Sequence, residues 1–442
     1  MEVYNPDSNL QVSEVLRDLN IRSNDRSFYQ GKAIIVSLLN TGLMSVVSLA
    51  LVDEWSELDL AHGDPDQVGL ATERFIADWE NRPHIRQSYQ LVINELRSFL
   101  SETARWIEQS EMDDALPKEA SGRLADNVFW AMANPLLEKL RSMLAKLELE
   151  AAAIPEEESL QHRAFAQTTL HPLILRAPFV YRTFVKPLGY AGDYEMVNQL
   201  LGDSRQGGST YLELVNAIFL KSAVAQAHRN RINILVDYLK QTASAAASEN
   251  RPYKVLNIGC GPAAEIQRLI QTEVPLHNIE FTLVDFSKET LSYTRKTINE
   301  MALAHHSGIK VDYVQESVHE IIKKKIQPAS ATVEPGQFDF IYCAGLFDYL
   351  SDKVCIRLIK YFISKGKKGT RLLLTNVHTS NPERYGMEHL LEWHLIYGNE
   401  ADMQRIMTVV GAPVKLFTDE TGVNVFAEAQ LPGDTTGGEK QP

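Results

Sequence analysis

Cysteine is scarce in this chain of 442 residues: Cys260, Cys343 and Cys355 are the only three. An odd number with no CxxC pair and no Cys/His spacing excludes a disulfide framework and speaks against structural zinc. Reduced thiols suit a cytoplasmic protein. Long basic runs are lacking too: Lys323 to Lys325 and the trio Lys365, Lys367 and Lys368 stand out most, and 44 Lys and Arg against 57 Asp and Glu leave a net charge of −13. Nucleic acid is therefore not expected as a partner. The opening MEVYNPDSNLQ has no cationic segment followed by an apolar one, so no signal peptide is read there. No cluster of His, Cys, Asp and Glu has metal-ligand spacing, and no metal is expected.

What the chain has is core material, 44% hydrophobic residues with 23% charged, which is ordinary globular composition. One uncharged run, Ala33 to Val52, is long enough for a membrane-spanning helix. Its middle, Asn40-Thr41-Gly42, is a turn signal between two stretches of Val, Ile, Leu and Ser, so two strands joined by a tight turn are expected instead. Residues 1–60 then read as a small β-rich module. Its Arg22 and Arg26 form an RxxxR pair that resembles the opening motif of the PilZ cyclic-dinucleotide module, but the following DxSxxG slots fall on Ser37, Leu39 and Gly42. With the acidic and hydroxyl groups gone, a degenerate structural module is expected.

Residues 61–159 change to helix: QSYQLVINELRSFLSETARWIEQS and NPLLEKLRSMLAKLELEAAA repeat apolar residues every three or four positions. Ile154-Pro155 and the glutamates after it read as a solvated boundary. Residues 160–250 are expected to be a helical cap ending in a small-residue linker, QTASAAASEN, at 241–250. From 251 to 430 the runs KVLNIG, IEFTLVD, KVDYVQ, FDFIYCA and TRLLLTNV alternate with helical stretches, as in a parallel, doubly wound α/β sheet. Residues 431–442 read as a disordered tail.

The first of these runs ends in VLNIGCGPAAEI. Gly259 and Gly261 let the backbone turn tightly into the next helix, leaving amides free to face a ligand. Together with Ala264 they also satisfy the dinucleotide fingerprint, with Asp285 at the end of the second run to take ribose hydroxyls. The end of the chain decides between the two readings. VKLFTDETGVNVFAEA is two strand patterns around a turn, an antiparallel hairpin closing the sheet. With that hairpin, and with Pro262 and Glu265 in the glycine loop, residues 250–430 resemble the class I S-adenosylmethionine (AdoMet) methyltransferases, which implies a seven-stranded doubly wound sheet and AdoMet as cofactor.

The resemblance implies roles position by position. Gly259, Gly261 and Pro262 would lie along AdoMet, Asp285 would hold the ribose, and Phe286 would border the adenine. Ser317 and Val318 stand where the family more often has an acidic residue and Ala. Cys343, Ala344 and Gly345 would line the methyl donor, with Phe347 and Tyr349 beyond. Outside the sheet, KPLGYAGDYEMVNQLL, AHRNRI, FIYCAGLFDYLSD and NVHTSNPERYGMEHLLEWHLIY resemble a bacterial subgroup labelled as making the methyl ester of 3-hydroxypalmitic acid, a quorum-sensing signal. The acceptor would then be an acyl-chain carboxylate, positioned by donors such as Tyr190, Tyr349, Arg229 or His378. Asp193 would bind the AdoMet ammonium or cap the helix after it, and Tyr190 and Tyr194 would face the cleft. Two alternatives stay open: another small acceptor such as an amine or phenol, and a non-catalytic AdoMet-binding regulator.

Overall fold

The computed structural model describes residues 2–3, 15–23, 26–40, 45–53, 65–80, 85–112, 116–249, 251–324 and 336–432. Contacts divide the chain into two compact units, residues 1–86 and 87–442. In the first unit, strands β1 (Glu2–Val3), β2 (Val15–Ser23), β3 (Arg26–Asn40) and β4 (Ser45–Leu51) form one antiparallel sheet in the order β1-β4-β3-β2. Tyr29, Ala33 and Ile35 are buried on one face of β3, the period-two pattern of a half-buried strand. The uncharged run is thus a strand pair, with Asn40 opposite Ser45. Among the described residues no helix is long and apolar enough to cross a membrane. Thr41 and Gly42 of the expected turn, and the expected tail beyond residue 432, lie outside the described residues. Helix α1 (Pro65–Glu80) completes this unit.

The second unit opens with helices α2 (Gln87–Met112), α3 (Asp126–Ala152), α4 (Glu156–Ile174), α5 (Pro178–Val185), α6 (Tyr194–Leu201), α7 (Thr210–Leu220) and α8 (Ala223–Glu249). Ile154 and Pro155 break the helix between α3 and α4 without separating bodies, because α2 packs on both of them. Helical residues 87–159 belong with the sheet that follows them, so the chain divides at Arg86 rather than near 60 and 160.

That sheet contains β5 (Tyr253–Ile258), β6 (Ile279–Asp285), β7 (Lys310–Gln315), β8 (Phe338–Cys343), β9 (Gly366–Val377), β10 (Val414–Thr418) and β11 (Asn424–Gln430), in the order β10-β11-β9-β8-β5-β6-β7. The pairs among β5 to β9 are parallel, and β11 runs antiparallel to both β9 and β10. This is the doubly wound seven-stranded sheet with a closing hairpin that the resemblance implies. Helices α9 (Ala264–Ile270), α10 (Lys288–Ala304), α11 (Val318–Lys324), α12 (Asp352–Lys365), α13 (Arg384–Leu391) and α14 (Glu400–Met407) accompany it.

The two faces of the sheet have separate cores. Leu256, Ile341 and Leu374 pack with Leu358 and Phe362 of α12, whereas Val255, Phe281 and Phe340 pack with Leu235, Leu239 and Ala243 of α8. Strands covered on both faces read as unbroken apolar runs, which is why they stand out in the sequence. The expected linker at 241–250 is the end of α8 over its described residues: Thr242, Ala243 and Ala246 are buried, and their small side chains let the helix approach the sheet. Strand order reverses between β5 and β8, so the crevice beyond their carboxyl ends is the place where ligands bind in open α/β sheets.

Candidate functional site

A cavity of about 320 Å³ fills that crevice. Its sheet side is formed by the glycine loop from Gly259 to Pro262 and by Ala344, Gly345 and Tyr349 after β8; α3, α6, α7, α8 and α13 wall the other sides. Gly259 and Gly261 take left-handed backbone conformations, φ 72° and 52°, which glycine adopts without a Cβ penalty. Gly345 (φ 90°) leaves room for a guanidinium: a Cβ there would come within 3.0 Å of Arg231 Nη2.

Arg231 is buried, its Nη2 donates to His228 Nε2 at 2.5 Å, and its Nη1 lies 3.9 Å from Asp348 Oδ2, too far for a hydrogen bond. Burial and the neighbouring Arg231 charge push the His228 pKa well below its ordinary value, so the ring is neutral and accepts from the guanidinium. Beside it, buried Glu265 accepts from Tyr342 Oη at 2.7 Å and from Asn257 Nδ2 at 3.2 Å. Burial raises the Glu265 pKa. Two polar atoms of this cluster, Arg231 Nη1 and Asn257 Oδ1, are buried without a hydrogen-bond partner among the described residues. A buried guanidinium hydrogen and a buried amide oxygen left unpaired are costly unless a ligand completes them.

Of the residues singled out from sequence, Gly259, Gly261, Pro262, Ala344, Gly345 and Tyr349 line the cavity. Asp285 stands at the end of β6 behind the loop, its Oδ2 accepting from Gly261 N at 3.1 Å and Oδ1 from Ser287 N at 2.9 Å. Burial raises its pKa against the pull of these amides. The Phe286 ring lies 5.3 Å from that of Tyr190, which brings GYAGD to the strand ends, although neither ring is part of the cavity wall.

Other residues are used elsewhere. Arg229 donates to Leu200 O at 2.9 Å and Leu220 O at 2.8 Å, tying down the last turns of α6 and α7. His378 clasps Ser380 Oγ and Glu400 in the loop after β9. Asp193 caps α6 through Met196 N at 2.9 Å and pairs with Arg182 at 2.8 Å, so of its two expected roles the cap is the one formed. Ser317 is bound to Glu320 at the start of α11, which begins at Val318, and neither lines the cavity. Tyr194 turns away from the cleft, stacked on Tyr293 and donating to Glu289. Cys343 and Phe347 belong to the core beneath the cavity.

Sequence reasoning missed His228 and Arg231. Both lie in AHRNRI, and the 3.6-residue period held the signal: His228, Arg231, Ile232 and Leu235 share one face of α8, while Arg229 points off it. Asn257 and Glu265 were visible in VLNIGCGPAAEI but carried no assignment.

Residues 249–408 match the methyltransferase domain family. This part of the chain is a methyltransferase domain. No curated protein matches the chain. Among solved structures, a possible exported protein from Bordetella parapertussis is 15% identical, with 68% of this chain and 97% of that one covered at a TM-score of 0.43. Magnesium protoporphyrin IX methyltransferase from Synechocystis PCC 6803, with bound S-adenosylhomocysteine, is 14% identical, with 57% and 97% covered at 0.38. The N-methyltransferase NodS from Bradyrhizobium japonicum WM9 is 16% identical, with 47% and 98% covered at 0.31. Likenesses this distant decide neither substrate nor mechanism. The methyltransferase's own residues fit the cofactor: its amino-acid end is a zwitterion, and the unpaired Asn257 Oδ1 and Arg231 Nη1 offer an acceptor for the ammonium and a donor for the carboxylate.

Proposed function

We propose that the domain methylates the carboxylate of a 3-hydroxy fatty acid, releasing a methyl ester that serves as a signal. The observation that carries this reading is Tyr349, half-buried in the cavity wall with its hydroxyl oxygen accepting from Trp393 Nε1 at 2.9 Å. Tyr349 can thus donate to an anion, and much of the wall facing it, with Phe179, Met196, Ile218, Leu390 and Leu395, is apolar and suits an acyl chain. Three polar groups of the wall able to act as bases already have partners: His228 takes the Arg231 proton donor, Glu265 takes Tyr342 and Asn257, and Asp348 takes Val377 N.

AdoMet, when bound, supplies an electrophilic methyl group on sulfur. A carboxylate is ionised at neutral pH and attacks it without losing a proton, so the protein need only align the two in line and keep water out. Arg231, Asn257 and Asp285 hold the cofactor in this reading, and Tyr349 holds the acceptor. The free, buried thiols Cys260, Cys343 and Cys355 suit a reducing cytoplasm as the place of action.

A second reading rests on Glu148 of α3, which also lines the cavity and whose pKa burial pushes up to about 7. A carboxyl titrating near neutrality suits proton removal from a phenol or amine. Incubating the full chain with labelled AdoMet and free 3-hydroxy acids of increasing length separates the readings. A base-labile methyl ester is expected, with affinity rising as each buried methylene adds about 0.8 kcal/mol. Base-stable product would favour the second reading, and S-adenosylhomocysteine binding without turnover would favour a regulatory binder.

A further inference from the structure

Three of the patches that stood outside the sheet motifs meet at one oxygen atom. Tyr349 comes from FIYCAGLFDYLSD, Trp393 from the segment around EWHLIY, and Gly192 from GYAGD. We propose that Tyr349, Trp393 and Gly192 form the acceptor-head subsite, in which the Tyr349 hydroxyl donates to one oxygen of the substrate carboxylate. The inference rests on the carboxylate reading above and adds to it the residues that grip the acceptor.

Hydrogen-bond polarity sets the direction of donation. An indole N–H can only donate, so the Trp393 Nε1 to Tyr349 Oη bond uses a lone pair of the hydroxyl and leaves its hydrogen to be given elsewhere. Among the described residues no group accepts that hydrogen. The backbone fixes Trp393 in place, because its N–H donates to Met387 O at 3.0 Å and Glu392 before it takes a left-handed turn at φ 50°. Gly192 keeps the far side open, since a Cβ there would come within 2.8 Å of Tyr349 Oη. Its backbone has little freedom to yield, because Asp193 beside it is fixed by Met196 N and Arg182. Trp393 therefore acts as a positioning residue through Tyr349, and Gly192 sets the aperture.

The test uses the full chain with free 3-hydroxypalmitic acid as probe, reading acceptor KM and kcat together with binding of the acid in the presence of S-adenosylhomocysteine. Tyr349→Phe should raise acceptor KM by about 10- to 100-fold, the loss of a hydrogen bond to a charged group, with S-adenosylhomocysteine affinity unchanged. Trp393→Phe should raise it less, and the double variant should be no worse than Tyr349→Phe alone. A merely structural tryptophan would instead add its own effect. Gly192→Ala, which keeps both aromatic partners, should also raise KM and serves if Trp393→Phe folds poorly. If ester forms but Tyr349→Phe leaves KM unchanged, or the two phenylalanine effects add, the subsite is overturned while the carboxylate reading stands. If no ester forms but the acid binds and Tyr349→Phe weakens it, the subsite stands and the methylation reading falls. If the wild type neither esterifies nor binds the acid, both fall.

Discussion

At the strand ends, Asn257 Oδ1 and the Arg231 Nη1 that α8 brings over Gly345 are buried with no hydrogen-bond partner among the described residues, whereas on the helical side away from the strands Glu148 and Glu383 each give both carboxylate oxygens to backbone amides. Glu148 receives Tyr385 N and Gly386 N at the start of α13, and Glu383 receives Ala223 N and Val224 N at the start of α8. The helical wall thus satisfies its charges internally, by capping helix N-termini where amides lack intrahelical partners. The strand-end wall, with the turn of α8 that covers it, keeps polar atoms in reserve. That difference separates a surface completed by a charged ligand from one that mainly offers shape and apolar area.

Replacing Arg231 is the strongest way to break the comparison. Arg231→Leu should weaken S-adenosylhomocysteine binding by about 100-fold, or about 2.7 kcal/mol, measured by calorimetry. Glu148→Gln, on the opposite wall, should leave that affinity where it was. Equal losses from the two variants would erase the distinction between the walls, and an unchanged affinity in Arg231→Leu would remove Arg231 from the cofactor site. Asp285→Ala comes next, with an expected loss of roughly 1.5–3 kcal/mol as charge-assisted bonds to the ribose disappear. The same substitution frees Gly261 N, so the glycine loop should also lose hydrogen-exchange protection if Asp285 anchors it.

The same contrast explains what could be read in advance. The sheet was legible because its strands carry local signatures: apolar runs buried on both faces, a glycine loop after the first, and a hairpin at the end. Gly259, Gly261, Pro262, Ala344 and Gly345 line the cavity because strand ends fix their own positions. Arg229, His378 and Asp193 were chosen by residue type, and what engages them comes from segments far from the strand motifs: Leu200 and Leu220 carbonyls, Glu400, and Arg182. Composition alone cannot show which of two arginines, two positions apart in AHRNRI, faces inward. The Ala and Ser of 241–249 misled for a related reason: small residues mark loops, but here they mark close approach of α8 to the sheet.

The smallest expected effect arises because two titrating groups, His389 within α13 and Glu148 against its first turn, oppose each other. His389 is buried, and burial together with the Arg163 charge lowers its pKa to about 4, while burial raises that of Glu148 to about 7. For His389 the unfolded chain binds the proton first, so its contribution to stability is present above the unfolded value of about 6.5 and is lost as pH falls toward 4. For Glu148 the folded chain binds the proton first, so stability is gained as pH falls from 7 toward 4.5. Each slope is at most about 1.4 kcal/mol per pH unit, and between 4.5 and 6.5 the two have opposite signs. The wild type should therefore lose little stability from this pair across that window, followed by urea unfolding at each pH. Glu148→Gln should expose the His389 slope and lose stability on acidification, whereas His389→Gln should gain it. If both variants follow the wild-type profile, neither group titrates differently in the folded protein, and the helical wall is as indifferent to pH as an exposed surface.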